Sequence, residues 1–368
     1  MLVDGRLTPF IRDLQTLFHV HIEDKQFGFA ITPYHNSYKT EVSYRRYNKI
    51  EFKNFYISKK LMAINRIVSF LPSATELLYE FGVQDKLFGV THECKFPHEA
   101  IFKPQIIDTV IDSEKLSSDE INTQTCQLLK NGKDIFVLNE KNLLKANPDM
   151  IISQETCEVC AAYNNQVNKA LQILENKPII YSMDPHNIQE IIESVTKLGM
   201  ILEKESRAKE ITDLLEKRIL SIKNKQTKNK PRVLAIEWLE PFFTAGHWVP
   251  EMVQIAGGVN LISKTGEHSR RMEFQEILDS DPDIIVLMPC GFDVKRTISE
   301  FEIMLRENKA WNSLRAVKNK RVFAVDANSF FSKPSIRTIE GVEILAKIFH
   351  PEIYDDVKIP KTFQNIKI

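Results

Sequence analysis

The sequence predicts an α/β protein of two lobes facing each other across a cleft. Three observations predict it. Residues 66–83 run from an apolar strand through Pro72-Ser73 into a helix, and residues 232–258 repeat that phrase with a longer loop. A strongly helical stretch with almost no turn residues lies between the two. Elsewhere strands alternate with helices, the pattern of mostly parallel sheets covered on both faces.

A chain of 368 residues exceeds one ordinary domain and suits two of about 150 residues each. Its 49 basic and 49 acidic side chains cancel. It has no global pull toward nucleic acid or an anionic membrane. The longest apolar runs are strand-sized, far below the ~20 residues that span a bilayer. At the N-terminus, Asp4, Arg6, Arg12 and Asp13 interrupt any export-signal core. A cytoplasmic location is therefore expected, with Met62 as an alternative start and export only if the N-terminus is incomplete. Five Cys, an odd number, argue against a disulfide framework. A monomer is expected.

Residues 1–60 are an N-terminal extension rich in aromatics, His and Asn. The alternating segments FGFAI (27–31) and EVSYRRY (41–47) fit a small β appendage; a partly disordered extension is the competing reading. The first α/β lobe is expected over 61–186. Its first strand, 66–71, ends at Pro72; Ser73 with Glu76 three residues on reads as a capping box, and the helix stops at Gly82. KLFGVT (86–91) is a strand that delivers His92, Glu93 and Cys94 to its end. DIFVLN (134–139), DMIISQ (149–154) and PIIYSMD (178–184) are further strands. A helical linker spans 187–230, opened by His186 or Asn187. Gly199 separates its two sets of apolar residues at three and four spacing. Its second helix, 204–226, is about 34 Å long at 1.5 Å per residue. The second lobe, 231–352, has strands at 232–238, near 284–290 and near 321–326, and a closing helix over 335–349; 353–368 is a C-terminal tail. Ligands of such sheets sit beyond the carboxyl ends of the strands.

The strand ends carry the chemistry. Cys157-x-x-Cys160 allows a redox dithiol or half a metal site. The glutamate between its thiols disfavours a thiolate. Cys94, Cys157 and Cys160 with His92 or Cys290 make a chemically sensible set for Zn or another soft transition metal. Buried inert thiols are the alternative, and Cys126, in a helix, reads that way. The loop from Trp238 and Glu240 to His247 and Trp248 is rich in ligand groups. Trp faces cover a flat apolar ligand while the indole N–H makes one polar contact; a hydrophobic plug is the competing reading. Phe330 and Phe331 add aromatic surface, and Arg337 or Arg296 a cation for an anionic group. No Gly-rich phosphate loop and no G-x-S-x-G elbow occur.

Arg66 to Val83, then Gly89 to Cys94, Ser153 to Cys160, Glu237 to Pro241, Trp248 to Glu251, Met288 to Phe292 and Asp326 to Phe331 together resemble the helical-backbone substrate-binding proteins of ABC importers. The branch they are most similar to is the cobalamin-binding one, over about residues 64–352. The resemblance implies two Rossmann-like lobes joined by one long backbone helix, with the ligand in the interlobe cleft. It implies contacts from Pro72, Ser73 and Ala74 on one side and Trp238 to Trp248 on the other. It makes an ABC permease the expected partner, with Glu76 and Glu251 as acidic docking residues. Cobalamin or a related corrinoid is then the expected small-molecule ligand, held for import or for intracellular handling. A cytosolic metal- or thiol-dependent enzyme and a metal or ferric-siderophore carrier stand as alternatives.

Overall fold

The computed structural model describes residues 64–154, 158–225, 228–354 and 362–367, with backbone alone over 158–164 and in four short strands before residue 34. The chain divides into two compact units, Met1–Ala63 and Ile64–Ile368. In the first, β1 (Leu2–Val3) pairs antiparallel with β2 (Arg6–Leu7), and β3 (Val20–Lys25) pairs antiparallel with β4 (Gly28–Pro33). The segment 41–47 lies outside the described residues.

The second unit holds both α/β lobes. The sheet of the first is built from β5 (Ile67–Ser69), β6 (Leu87–Thr91), β7 (Gln105–Thr109), β8 (Phe136–Leu138), β9 (Met150–Ser153) and β10 (Ile179–Ser182). Their order is β10-β9-β5-β6-β7-β8, and every pairing is parallel except that of β7 with β8. The neighbouring interior strands β5 and β9 are wholly buried. That is why they read as largely apolar runs without alternation. Four helices belong to this lobe: α1 (Pro72–Glu80), α2 (Ser118–Lys130), α3 (Glu140–Ala146) and α4 (Glu158–Ile173). Cys126 sits on α2 and is exposed, not a buried small hydrophobe.

The start of α1 differs from the capping box expected at Ser73. Leu71 is the N-cap in extended backbone, Pro72 holds the first turn, and no side chain caps the helix. Proline's fixed φ and missing N–H suit that first position, which moves Ser73 and Glu76 inside the helix. Capping boxes form instead at Ser117 with Glu120 and at Glu273 with Glu276.

Helix α5 (Ile188–Ile201) is capped by Asn187, whose side chain accepts from the Glu190 amide. It runs on through Gly199, so that glycine does not part the two helices. The chain turns at Glu203, φ 58°, into α6 (Glu205–Asn224), a helix of 20 residues. A Cβ on Gly199 would stand 2.4 Å from the Ala208 Cβ. The glycine lets α5 and α6 pack backbone to backbone.

The second lobe contains β11 (Arg232–Leu239), β12 (Phe242–Thr244), β13 (Val259–Asn260), β14 (Ile284–Leu287), β15 (Val322–Val325) and β16 (Phe363–Asn365). Strands β11, β14 and β15 are parallel neighbours, β13 lies parallel beside the start of β11, and β12 and β16 are antiparallel. The tail expected over 353–368 thus supplies an edge strand to β15. Helices α7 (Val249–Ile255), α8 (Phe274–Ser280), α9 (Val294–Met304), α10 (Lys309–Asn312), α11 (Arg315–Lys318), α12 (Ala327–Phe330) and α13 (Thr338–Phe349) complete the lobe. Its core packs Leu234, Ile236, Ile285 and Leu287 around the fully buried Trp311. The result is two mostly parallel sheets with flanking helices, joined by α5 and α6.

Candidate functional site

The loops that leave the carboxyl ends of the two sheets face each other. On the first lobe, Pro72, Ser73 and Ala74 form the buried first turn of α1, and the Ser73 Oγ has no hydrogen-bond partner among the described residues. After β6, His92 and Glu93 are partly exposed while Cys94 turns inward and is 2% exposed. The Cys94 Sγ accepts from the Thr75 hydroxyl at 3.1 Å, with the Thr91 hydroxyl at 3.4 Å. Burial pushes its thiol pKa up, against the smaller opposing pull of those hydrogen bonds. Cys94 is therefore a protonated, inert thiol. The His92 ring lies 6.0 Å from that of Phe136, and its Nδ1 is buried without a hydrogen-bond partner among the described residues.

On the second lobe, the Trp238 Nε1 donates to the Glu240 carbonyl at 3.1 Å, and its ring meets that of Phe292 at 5.4 Å. Glu240 is half-buried. Trp248 is 5% exposed and donates through Nε1 to the Phe331 carbonyl at 3.0 Å; Phe331 is 3% exposed. Those two aromatics form the hydrophobic plug and leave no face for a ligand. Phe330 ends α12 half-buried; it follows the last parallel strand on a helix.

His247 occupies the left-handed region at φ 54°. Its amide donates to the Glu267 carbonyl at 2.6 Å. The neighbouring Gly246 has no room for a side chain, because a Cβ there would lie 2.4 Å from the Ser269 nitrogen. Beneath this loop the partly buried Glu237 carboxyl accepts from the Ser269 hydroxyl at 2.6 Å and the Gly246 amide at 3.2 Å. Burial raises its pKa. The His247 ring lies 5.9 Å from His186 and 5.1 Å from His268. Burial first, then those two imidazoles, lower its pKa to about 4. It is neutral at pH 7.

Contacts between the lobes form a continuous seam. Arg337 binds Glu76 through Nη2 at 2.6 Å and Nε at 3.1 Å. The Ser118 amide donates to the Glu300 carboxylate at 2.6 Å, and the Ser118 carbonyl accepts from Trp238 Nε1 at 3.2 Å. Arg296 donates to the Leu116 carbonyl at 2.9 Å while its guanidinium lies 3.7 Å from the centre of the Phe292 ring. Ser118, Glu300, Leu116, His186 and His268 were not legible as seam residues. Their neighbours in sequence are ordinary helix and loop, and only the fold brings them together. Arg337 carries an internal partner, contrary to its reading as a cation for a ligand anion. Glu76, only 2% exposed, cannot be the surface docking residue the resemblance suggested. Glu251 accepts from the Ile188 amide at 2.8 Å.

Two of the four thiols expected as metal ligands are described. Cys94 is enclosed within its own lobe and Cys290 is exposed on the turn after β14. Cys157 and the Cys160 side chain lie outside the described residues. Among the described residues no three His, Cys, Asp or Glu side chains are grouped to hold a metal ion, so a zinc cluster finds no support there. Two open grooves, of about 730 Å³ and 440 Å³, are each lined by residues of a single lobe. Neither bridges the seam.

A family model described as periplasmic binding protein matches residues 67–329, well over half of the chain. The chain belongs to that family. Relatives of the chain include the vitamin B12-binding protein of Vibrio cholerae. That protein is 23% identical over 296 residues, covering 78% of this chain and 91% of its own. The high-affinity heme uptake system protein IsdE of Staphylococcus aureus is 24% identical over 221 residues, covering 58% of this chain and 72% of its own. The crystal structure of the V. cholerae protein, BtuF, matches with TM-score 0.58 and 20% identity, over 80% of this chain and 99% of that one. S. aureus IsdE complexed with heme matches with TM-score 0.59 and 21% identity, over 77% and 98%. These likenesses establish the two-lobe fold, and the relatives bind vitamin B12 or heme.

Proposed function

We propose that this periplasmic binding protein holds a corrinoid between its lobes and passes it to an ABC permease. The observation that carries the reading is the seam itself. Loops from the carboxyl ends of both sheets converge there, with the partly exposed rings of Trp238 and Phe330 and the exposed ring of Phe96 beside the His92 imidazole and the neutral His247. A broad, flat macrocycle edged by amides suits such a surface, because aromatic faces cover its plane and scattered polar groups meet its rim. The match with the vitamin B12-binding protein across both lobes supports the same ligand class.

Heme is the second reading. The Nδ1 atoms of His92 and His247, buried and without a hydrogen-bond partner among the described residues, favour it, since an imidazole nitrogen is an iron ligand. An enzyme draws no support from the protonated Cys94 thiol. Titrating the full chain with cyanocobalamin, hemin and a ferric hydroxamate, followed by visible absorption and calorimetry, separates these ligands. Saturable 1:1 cobalamin binding, tighter than hemin, is expected. No cobalamin binding at ~100 μM, a level at which even a weak specific site begins to fill, sinks the corrinoid reading. A hemin preference with a shifted Soret band replaces it with the second.

A further inference from the structure

Helix α6 ties each lobe to itself by charge. Arg207 reaches the Glu80 carboxylate of α1 at 3.0 Å, and Arg218 reaches the Glu343 carboxylate of α13 at 2.8 Å. One turn before Glu80 on α1 stands Glu76, and nearly two turns before Glu343, at the head of α13, stands Arg337. These two close directly on each other, the one ion pair among the described residues that runs from lobe to lobe.

Its setting differs from that of a surface pair. The Arg337 side chain is 14% exposed and that of Glu76 2%. The guanidinium lies 4.0 Å from the centre of the Phe96 ring, which belongs to the first lobe, and 5.7 Å from that of Phe330 in its own lobe. A planar guanidinium held by a two-point carboxylate bond and an aromatic face is fixed in orientation. With little water present, its attraction is weakly screened. Separating the lobes leaves both charges to be resolvated together, so the pair opens as a unit.

We propose that the Glu76–Arg337 pair is a clamp that holds the seam shut. Resting on the ligand site proposed above, ligand exchange then requires the clamp to open. The Ser118 amide, bonded to Glu300 across the seam at 2.6 Å, reports closure at a point away from the pair.

Native-state hydrogen exchange on the full chain tests the clamp without any ligand, so its outcome is separate from that of the cobalamin titration. Glu76→Gln should speed exchange of the Ser118 amide at least tenfold. The Phe70 amide, bonded to the Ile152 carbonyl inside the first lobe at 2.8 Å, should keep its rate. A charge stranded by the single change can loosen the whole fold. The double variant Glu76→Gln/Arg337→Gln leaves no unpaired charge and should show the same selective acceleration. Unchanged Ser118 exchange in the double variant overturns the clamp, as does an acceleration that Phe70 shares equally in both variants.

Discussion

His247 meets three constraints at once. Its backbone lies at φ 54°, its side chain is 8% exposed, and two other imidazoles face its ring. A buried base among other bases favours its neutral form. Its pKa of about 4 in the fold lies below the ~6.5 of an unfolded histidine. The stability this contributes is complete above pH ~6.5 and is lost as pH falls toward 4. Urea midpoints compared at pH 7 and pH 4.5 should show a fall worth roughly 2 kcal/mol from this residue. His247→Asn, which tolerates the same left-handed backbone and does not titrate, should shed that part of the acid slope. An unchanged slope in the variant removes His247 as its source.

Single residues also show where sequence reading stops. Trp248 and Trp238 look alike as loop tryptophans, yet one is core and the other bridges the lobes. The difference lies in which carbonyl each indole N–H reaches: Phe331 for Trp248, Ser118 for Trp238. Both acceptors are distant in sequence. Cys94 is similar. Its place at a strand end suggested a ligand, but the thiol faces Thr75 and Thr91 inside the lobe.

At the scale of elements, periodicity and punctuation carried most of the reading. The buried strands β5, β9 and β14 and the buried stretch 233–236 of β11 are largely apolar, and Asn187 starts α5 as its side chain allows. The exceptions have local causes. Strand β7 offers only Ile106 and Ile107 as buried positions among polar neighbours, too short a pattern to distinguish from a turn. Strand β16 sits on a sheet edge after a long connection, and its partner is Phe323 to Val325 rather than anything nearby in sequence.

Gly199 is the sharpest case, since inside a helix it reads as a break. Helix propensity alone says that Gly199→Ala gains up to about 1 kcal/mol. The 2.4 Å approach of that Cβ to the Ala208 Cβ reverses the sign. The variant should lose about 1–3 kcal/mol as α5 and α6 are forced apart. Ala208→Gly placed in the same chain should recover part of the loss. Denaturant midpoints decide, and a stabilised Gly199→Ala would refute the close helix contact.

At the scale of the molecule, two sheets with their carboxyl ends turned toward one seam make the ligand and the fold thermodynamically linked. A compound that bridges both lobes stabilises the folded state by about 2.7 kcal/mol when present at 100 times its Kd. Cyanocobalamin should therefore raise the thermal midpoint of the full chain in proportion to the logarithm of its concentration. A midpoint that ignores cobalamin while the protein is saturated by it would mean that the ligand also binds the unfolded chain.

The fold class, most of the strand and helix order, the long joining helix and the family are legible in the amino-acid sequence. These properties are written in local apolar periodicity, in prolines and caps, and in motifs a few residues long. The arrangement of the site comes from the packing of distant segments. That packing paired Glu76 with Arg337 across 261 positions and buried Trp248 and Cys94. It also gathered His186, His247 and His268 at one place. Contacts of that kind depend on where two sheets far apart in sequence come to rest, and no local pattern in the chain encodes that placement.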